Sequence, residues 1–110
     1  MASGIPERFD NVQVGTKANV FFDGRVISHS FWLASGERKT LGLIFAGSYH
    51  FGTDAPERMD MVAGTAQVKL DGQAEWVTYS AGEAFEVPGQ SGFDIAVADG
   101  IAEYVCSFLA

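Results

Sequence analysis

From Val12 onward the chain is cut into short β-rich runs by glycine, by Asp-Gly and by Asp-Ala-Pro, and nowhere does a helical apolar period persist for three turns. That punctuation limits the fold to strands. Residues 18–22 and 25–31 flank Asp23-Gly24, a dipeptide suited to positive φ in a tight hairpin turn. Asp71-Gly72 joins residues 65–70 to 75–79 in the same way. Between and after these hairpins, runs at 38–45, 48–53, 57–63, 84–87, 91–97 and 101–109 bring the expected total to nine or ten strands. Such even spacing belongs to sandwiches and barrels. A double-sheet jelly roll is the economical arrangement, because it leaves fewer open edges than a flat sheet of so many strands.

With 110 residues the chain makes one domain with one core, spanning 1–110, with residues 1–11 expected as a loose N-terminal arm. The net charge of -7 argues against a nucleic-acid partner, which requires clustered Lys and Arg. Met1 to Glu7 lack the cationic start and apolar stretch of a signal peptide, and no apolar run reaches membrane-spanning length. The expected setting is therefore the cytoplasm, with no membrane partner. Cys106 is the single cysteine, which excludes an intrachain disulfide and a Cys-based zinc site. It alternates with Tyr104 and Phe108 on an apolar strand face, as a buried thiol does.

Strand parity nominates the interior. Tyr49, Phe51 and Thr53 form the larger, more apolar row of their strand, with Ser48, His50 and Gly52 facing out. Met59 and Met61 mark the inward parity of the next strand, and Glu57 shares it, which sets a carboxylate at the mouth of an apolar cavity. An unpartnered buried carboxylate costs several kcal/mol, so Glu57 pairs with a cation, coordinates a ligand, or stays at a wet rim. Phe85, Val87, Phe93, Ile95 and Val97 add inward walls. In Arg38-Lys39-Thr40, Arg38 and Thr40 share one face. The guanidinium fork of Arg38 matches phosphate oxygens, and the alternative is a charge-protected edge strand. His29 and His50 lack the paired spacing of metal ligands.

Several ordered segments carry a family resemblance. Glu57 is followed after six residues by Gly64, and Gly82 after five by Pro88, which is the frame of the two cupin motifs. The His-x-His pair and third His usual in that frame are replaced by Phe51, Thr53 and Phe93. Lys-Ala-Asn-Val-Phe-Phe-Asp-Gly at 17–24, Arg-Lys-Thr-Leu-Gly at 38–42, Gly-Ser-Tyr-His-Phe-Gly-Thr-Asp-Ala-Pro-Glu at 47–57, Gly-Glu-Ala-Phe-Glu-Val-Pro at 82–88, Trp76 and Tyr-Val-Cys at 104–106 complete the set. Together they resemble the small cupins described as pyrimidine/purine nucleoside phosphorylases. The resemblance implies an all-β, single cupin-type jelly-roll barrel (a double-stranded β-helix), a homodimer, and no required metal or other cofactor. It also implies phosphorolysis of purine and pyrimidine nucleosides, with inorganic phosphate as co-substrate and free base and α-D-ribose 1-phosphate as products. For that reaction the expected catalytic residues are Glu57, towards the ribose, and Arg38, towards phosphate. Thr40, Tyr49, Phe51, Thr53 and Phe93 are the expected substrate-binding residues. Tyr49, and less so His29, is a candidate donor to the departing base. The rival readings are a metal-free cupin that binds a small anionic or sugar ligand without turnover, and a structural dimerisation module.

Overall fold

In the computed structural model, which describes residues 1–109, the punctuated sequence forms nine strands. They are β1 (Gln13–Val14), β2 (Asn19–Phe21), β3 (Val26–Trp32), β4 (Arg38–Gly52), β5 (Glu57–Ala63), β6 (Thr65–Leu70), β7 (Val77–Ser80), β8 (Ala84–Val87) and β9 (Gly92–Phe108). All pair antiparallel in one sheet, in the order β1-β3-β4-β9-β5-β8, with β2 on β3, and β6 lying between β9 and β7.

The two longest strands fold this sheet over. Residues 39–45 of β4 pair with 101–107 of β9, whereas 47–52 pair with 92–97, the register shifting between Phe45 and Gly47. One half thus joins β3, β5 and β8, and the other joins β6 and β7. The core lies between the layers. Ile44, Met59, Met61, Phe85 and Tyr104 come from the first, and Tyr49, Val68, Phe93 and Ile95 from the second. This is the expected all-β jelly roll.

Ala46-Gly47 ends no strand. The chain runs on through a bulge with Gly47 at φ 146°, and the Tyr49 hydroxyl donates to the carbonyl oxygens of Phe45 (2.8 Å) and Ala46 (3.1 Å). A Cβ on Gly47 would lie 2.6 Å from that hydroxyl, so the bulge needs glycine. The two hairpins are also longer than expected. Phe21 opposite Val26 is the last pair of the first, and Phe22 (φ 52°) joins Asp23 and Gly24 at positive φ. In the second, pairing with β7 ends at Val68, because Lys69 and Leu70 pair only with β9.

The start of the chain is fastened rather than loose. Ala2 bridges Glu83, Ser3 N–H donates to the Gly82 carbonyl, and Ala84 N–H to that of Met1. Ser3 Oγ donates to the Asp60 carboxylate at 2.8 Å, and Arg58 Nε to the same oxygen at 3.4 Å. Asp60 lies on the outward parity of β5 yet is 1% exposed, so its burial requires those partners. Among the described residues no helix is long and apolar enough to cross a membrane.

Candidate functional site

Three adjacent strands bring the polar residues together at one end of the barrel. β4 begins there, β5 begins there and β9 ends there, with Thr40 opposite Cys106, Cys106 opposite Met59, and Phe108 opposite Glu57. Alternation turns Thr40, Glu57, Cys106 and Phe108 into a common cavity of about 280 Å³, near the lower end of small-molecule sites. Arg38 lies at its mouth, its guanidinium carbon 4.4 Å from the centre of the Phe108 ring. Phe51 and Phe93, paired across β4 and β9, stack at 5.8 Å to form another wall, and Phe21 of β2 packs edge-on against Phe51 at 5.8 Å.

Polarity is graded with depth. Arg38 is exposed and Glu57 half-buried, whereas Ser28, Tyr104 and Cys106 are buried among Ile44, Met59 and Phe93. Outward, the cavity meets a polar vestibule of about 420 Å³ that shares Arg38, Gly52, Glu57 and Phe108 with it and adds Glu37 and Asp54. A polar row runs from the exposed mouth to buried Ser28: Arg38 donates to Ser30 Oγ (3.2 Å), and Asn19 Nδ2 donates to both Ser30 Oγ (3.3 Å) and Ser28 Oγ (3.2 Å).

Burial raises the Glu57 carboxyl above its ordinary range, opposed by the hydrogen bond from Cys106 and by the Arg38 charge. Burial, together with the nearby Glu57 charge, pushes the Cys106 thiol up as well. It therefore stays a thiol, donating to Glu57 Oε1 at 3.6 Å, and lacks the thiolate character of a nucleophile. Burial pushes Tyr104 up to about 12, so its phenol stays protonated.

Of the residues expected from the sequence, Glu57, Arg38, Thr40, Phe51 and Phe93 meet in the cavity. Tyr49 and Thr53 point inward but do not line it. The Tyr49 hydroxyl is spent on the bulge, and Thr53 donates to the Pro88 carbonyl at 2.6 Å while accepting from Ser91 N–H at 3.1 Å. Both fasten the wall that carries Phe51. His50 is exposed against Asp71 at 3.0 Å, and His29 contacts the Gly15 carbonyl on another face, so neither reaches the cavity. Asn19, Ser28 and Tyr104 escaped the sequence reading. The alternation of Tyr104 with Cys106 and Phe108 was the available signal, but it read as plain core.

The residues do not fit a cupin metal. Phe51 and Phe93 bring rings to two ligand places, the Thr53 hydroxyl is engaged by the backbone, and among the described residues no three of His, Cys, Asp and Glu converge.

Comparison with known proteins shows the family of the chain. Residues 16–108 match the family model of pyrimidine/purine nucleoside phosphorylase. A protein of that name from Burkholderia orbicola (strain MC0-3) is 55% identical over 93% of this chain and 95% of its own. Among solved structures, a protein of unknown function from Acinetobacter sp. ADP1 superposes with a TM-score of 0.90 at 38% identity, over 93% of this chain and 98% of its own. The Clostridium difficile EutQ protein, a cupin-type fold at 17% identity, covers 76% of this chain and 67% of its own with a TM-score of 0.63, a likeness of fold alone.

Proposed function

This chain belongs to the pyrimidine/purine nucleoside phosphorylase family, and from that premise we propose that it is a broad-specificity pentosyltransferase. Purine or pyrimidine nucleosides react with inorganic phosphate to give free base and α-D-ribose 1-phosphate. It works in the cytoplasm as a homodimer, and no metal or organic cofactor takes part.

What carries this reading is the depth order of the cavity. Displacement of a β-linked base with inversion needs the anion on the face of the sugar opposite the leaving group. Arg38 at the exposed mouth holds phosphate through charge-assisted hydrogen bonds, its fork steadied by Phe108. Glu57, half-way in, accepts hydrogen bonds from the ribose hydroxyls and stabilises positive charge developing at the anomeric carbon. The base lies deepest, against Phe51 and Phe93, whose faces accept any base because every base has a π-face. Catalysis requires Glu57 ionised, and the Cys106 and Arg38 contacts oppose the effect of burial on it.

The deciding assay follows base release by chromatography from uridine, cytidine, inosine, adenosine and guanosine, with and without phosphate, after chelator treatment. Phosphate-dependent release from several nucleosides is expected. No release, accompanied by ligand-induced thermal stabilisation, would instead make the protein a binding cupin.

A further inference from the structure

The end of the cavity that would receive the base is not wholly apolar, and its polar groups are ordered in a particular sense. Ser28, Gly42 and Tyr104 occupy one row across β3, β4 and β9. Gly42 lies between the other two, and a Cβ there would fall 2.7 Å from both Cζ and the hydroxyl oxygen of Tyr104. The tyrosine therefore lies across the bare backbone of Gly42, its hydroxyl carried towards β3, the strand of Ser28.

The direction of the bonds follows from the donors. Asn19 donates its amide hydrogens to Ser28 Oγ and Ser30 Oγ. Ser28 Oγ thus accepts from Asn19, and beside it Tyr104 lines the cavity with a phenol that keeps its hydrogen and can give it there. Gly42 fixes where the phenol lies, and its hydroxyl remains a donor to the cavity.

Resting on the phosphorolysis reading above, we propose that Tyr104 is the catalytic residue that supports the departing base. It donates a hydrogen bond to the acceptor beside the glycosidic nitrogen, the C2 carbonyl oxygen of a pyrimidine or N3 of a purine. A phosphate oxygen forms the new bond to the anomeric carbon, and the C–N bond breaks with its electron pair going to the base. Charge that collects on the base ring is met by the Tyr104 donor as it forms. Buried as it is, the phenol keeps its proton, so the hydrogen finally carried by the neutral base comes from hydrogen phosphate. Nucleoside and hydrogen phosphate dianion are thereby converted to base and ribose 1-phosphate dianion with charge and atoms balanced. A hydroxyl that turns about its C–O bond reaches either acceptor, which accounts for tolerance of both base classes.

The test compares two leaving groups. Uridine must expel a base that gathers negative charge, whereas 7-methylguanosine carries a positive charge on its purine and expels a neutral base without a donor. Tyr104→Phe is expected to lower kcat on uridine by about 10²-fold while leaving kcat on 7-methylguanosine within a few-fold of the unsubstituted enzyme. Ser28→Ala, which keeps the phenol but removes the polar group beside it in the row, is expected to show the same discrimination at smaller size, and it serves as the test should Tyr104→Phe fail to fold. Equal loss on both substrates, or no loss on uridine, in an enzyme whose unsubstituted form is active on both, overturns the Tyr104 assignment alone. Absence of phosphate-dependent release by the unsubstituted enzyme overturns the phosphorolysis reading, and this proposal with it.

Discussion

Glu57 holds a carboxylate where burial disfavours its charge, so a single side chain sets function against stability. A group whose folded pKa is raised contributes stability that is full below the unfolded value and lost as pH rises through the folded one. At neutral pH the ionised Glu57 is therefore a burden on the fold, and Glu57→Gln is expected to raise the melting temperature there while removing most of the activity. Scanning calorimetry paired with the phosphorolysis assay reads both; a stable, fully active Glu57→Gln enzyme would refute the assignment. The causes can be separated as well. Cys106→Ala removes the hydrogen bond that lowers the Glu57 pKa, so the acid limb of the kcat/KM profile is expected to move to higher pH.

Between elements, the bulge in β4 is the feature that separates a wall residue from a site residue. Tyr49, Phe51 and Thr53 share a parity, and alternation alone ranks them alike as ligands of a base. The structure distinguishes them by what their polar atoms meet. Tyr49→Phe leaves the bulge carbonyls of Phe45 and Ala46 without their side-chain donor, at a cost of about 1–3 kcal/mol, or roughly 4 °C or more in melting temperature. KM for nucleosides is expected to stay unchanged, because Tyr49 is held away from the cavity by those bonds; a rise in KM with no loss of stability would return Tyr49 to the binding site. The bulge also shows why two predicted strands are one. Ala46-Gly47 has the composition of a turn, yet β9 pairs with both flanks, so the ladder resumes after one irregular step.

On the scale of the whole molecule, a net charge of -7 surrounds a site that must attract an anion, so phosphate has to be captured by local geometry rather than by the long-range field. Arg38→Met, which keeps the apolar stem, is expected to raise the phosphate KM roughly 10- to 100-fold, the equivalent of about 1.5–3 kcal/mol of charge-assisted hydrogen bonding. The nucleoside KM should move little. An unchanged phosphate KM in steady-state kinetics would remove Arg38 from the site. The sequence by itself determined that the chain is an all-β jelly roll, that Glu57 shares the inward face of Met59 and Met61, and that Arg38 and Thr40 share a face. Strand alternation and turn chemistry are local properties, and these conclusions need nothing else. Only the tertiary structure decided that Tyr49 and Thr53 serve the backbone, that the start of the chain covers Asp60, and that Tyr104 crosses Gly42 to line the cavity. Each of those depends on which strands lie side by side and in what register, and register is set by closure of the whole barrel rather than by any segment within it.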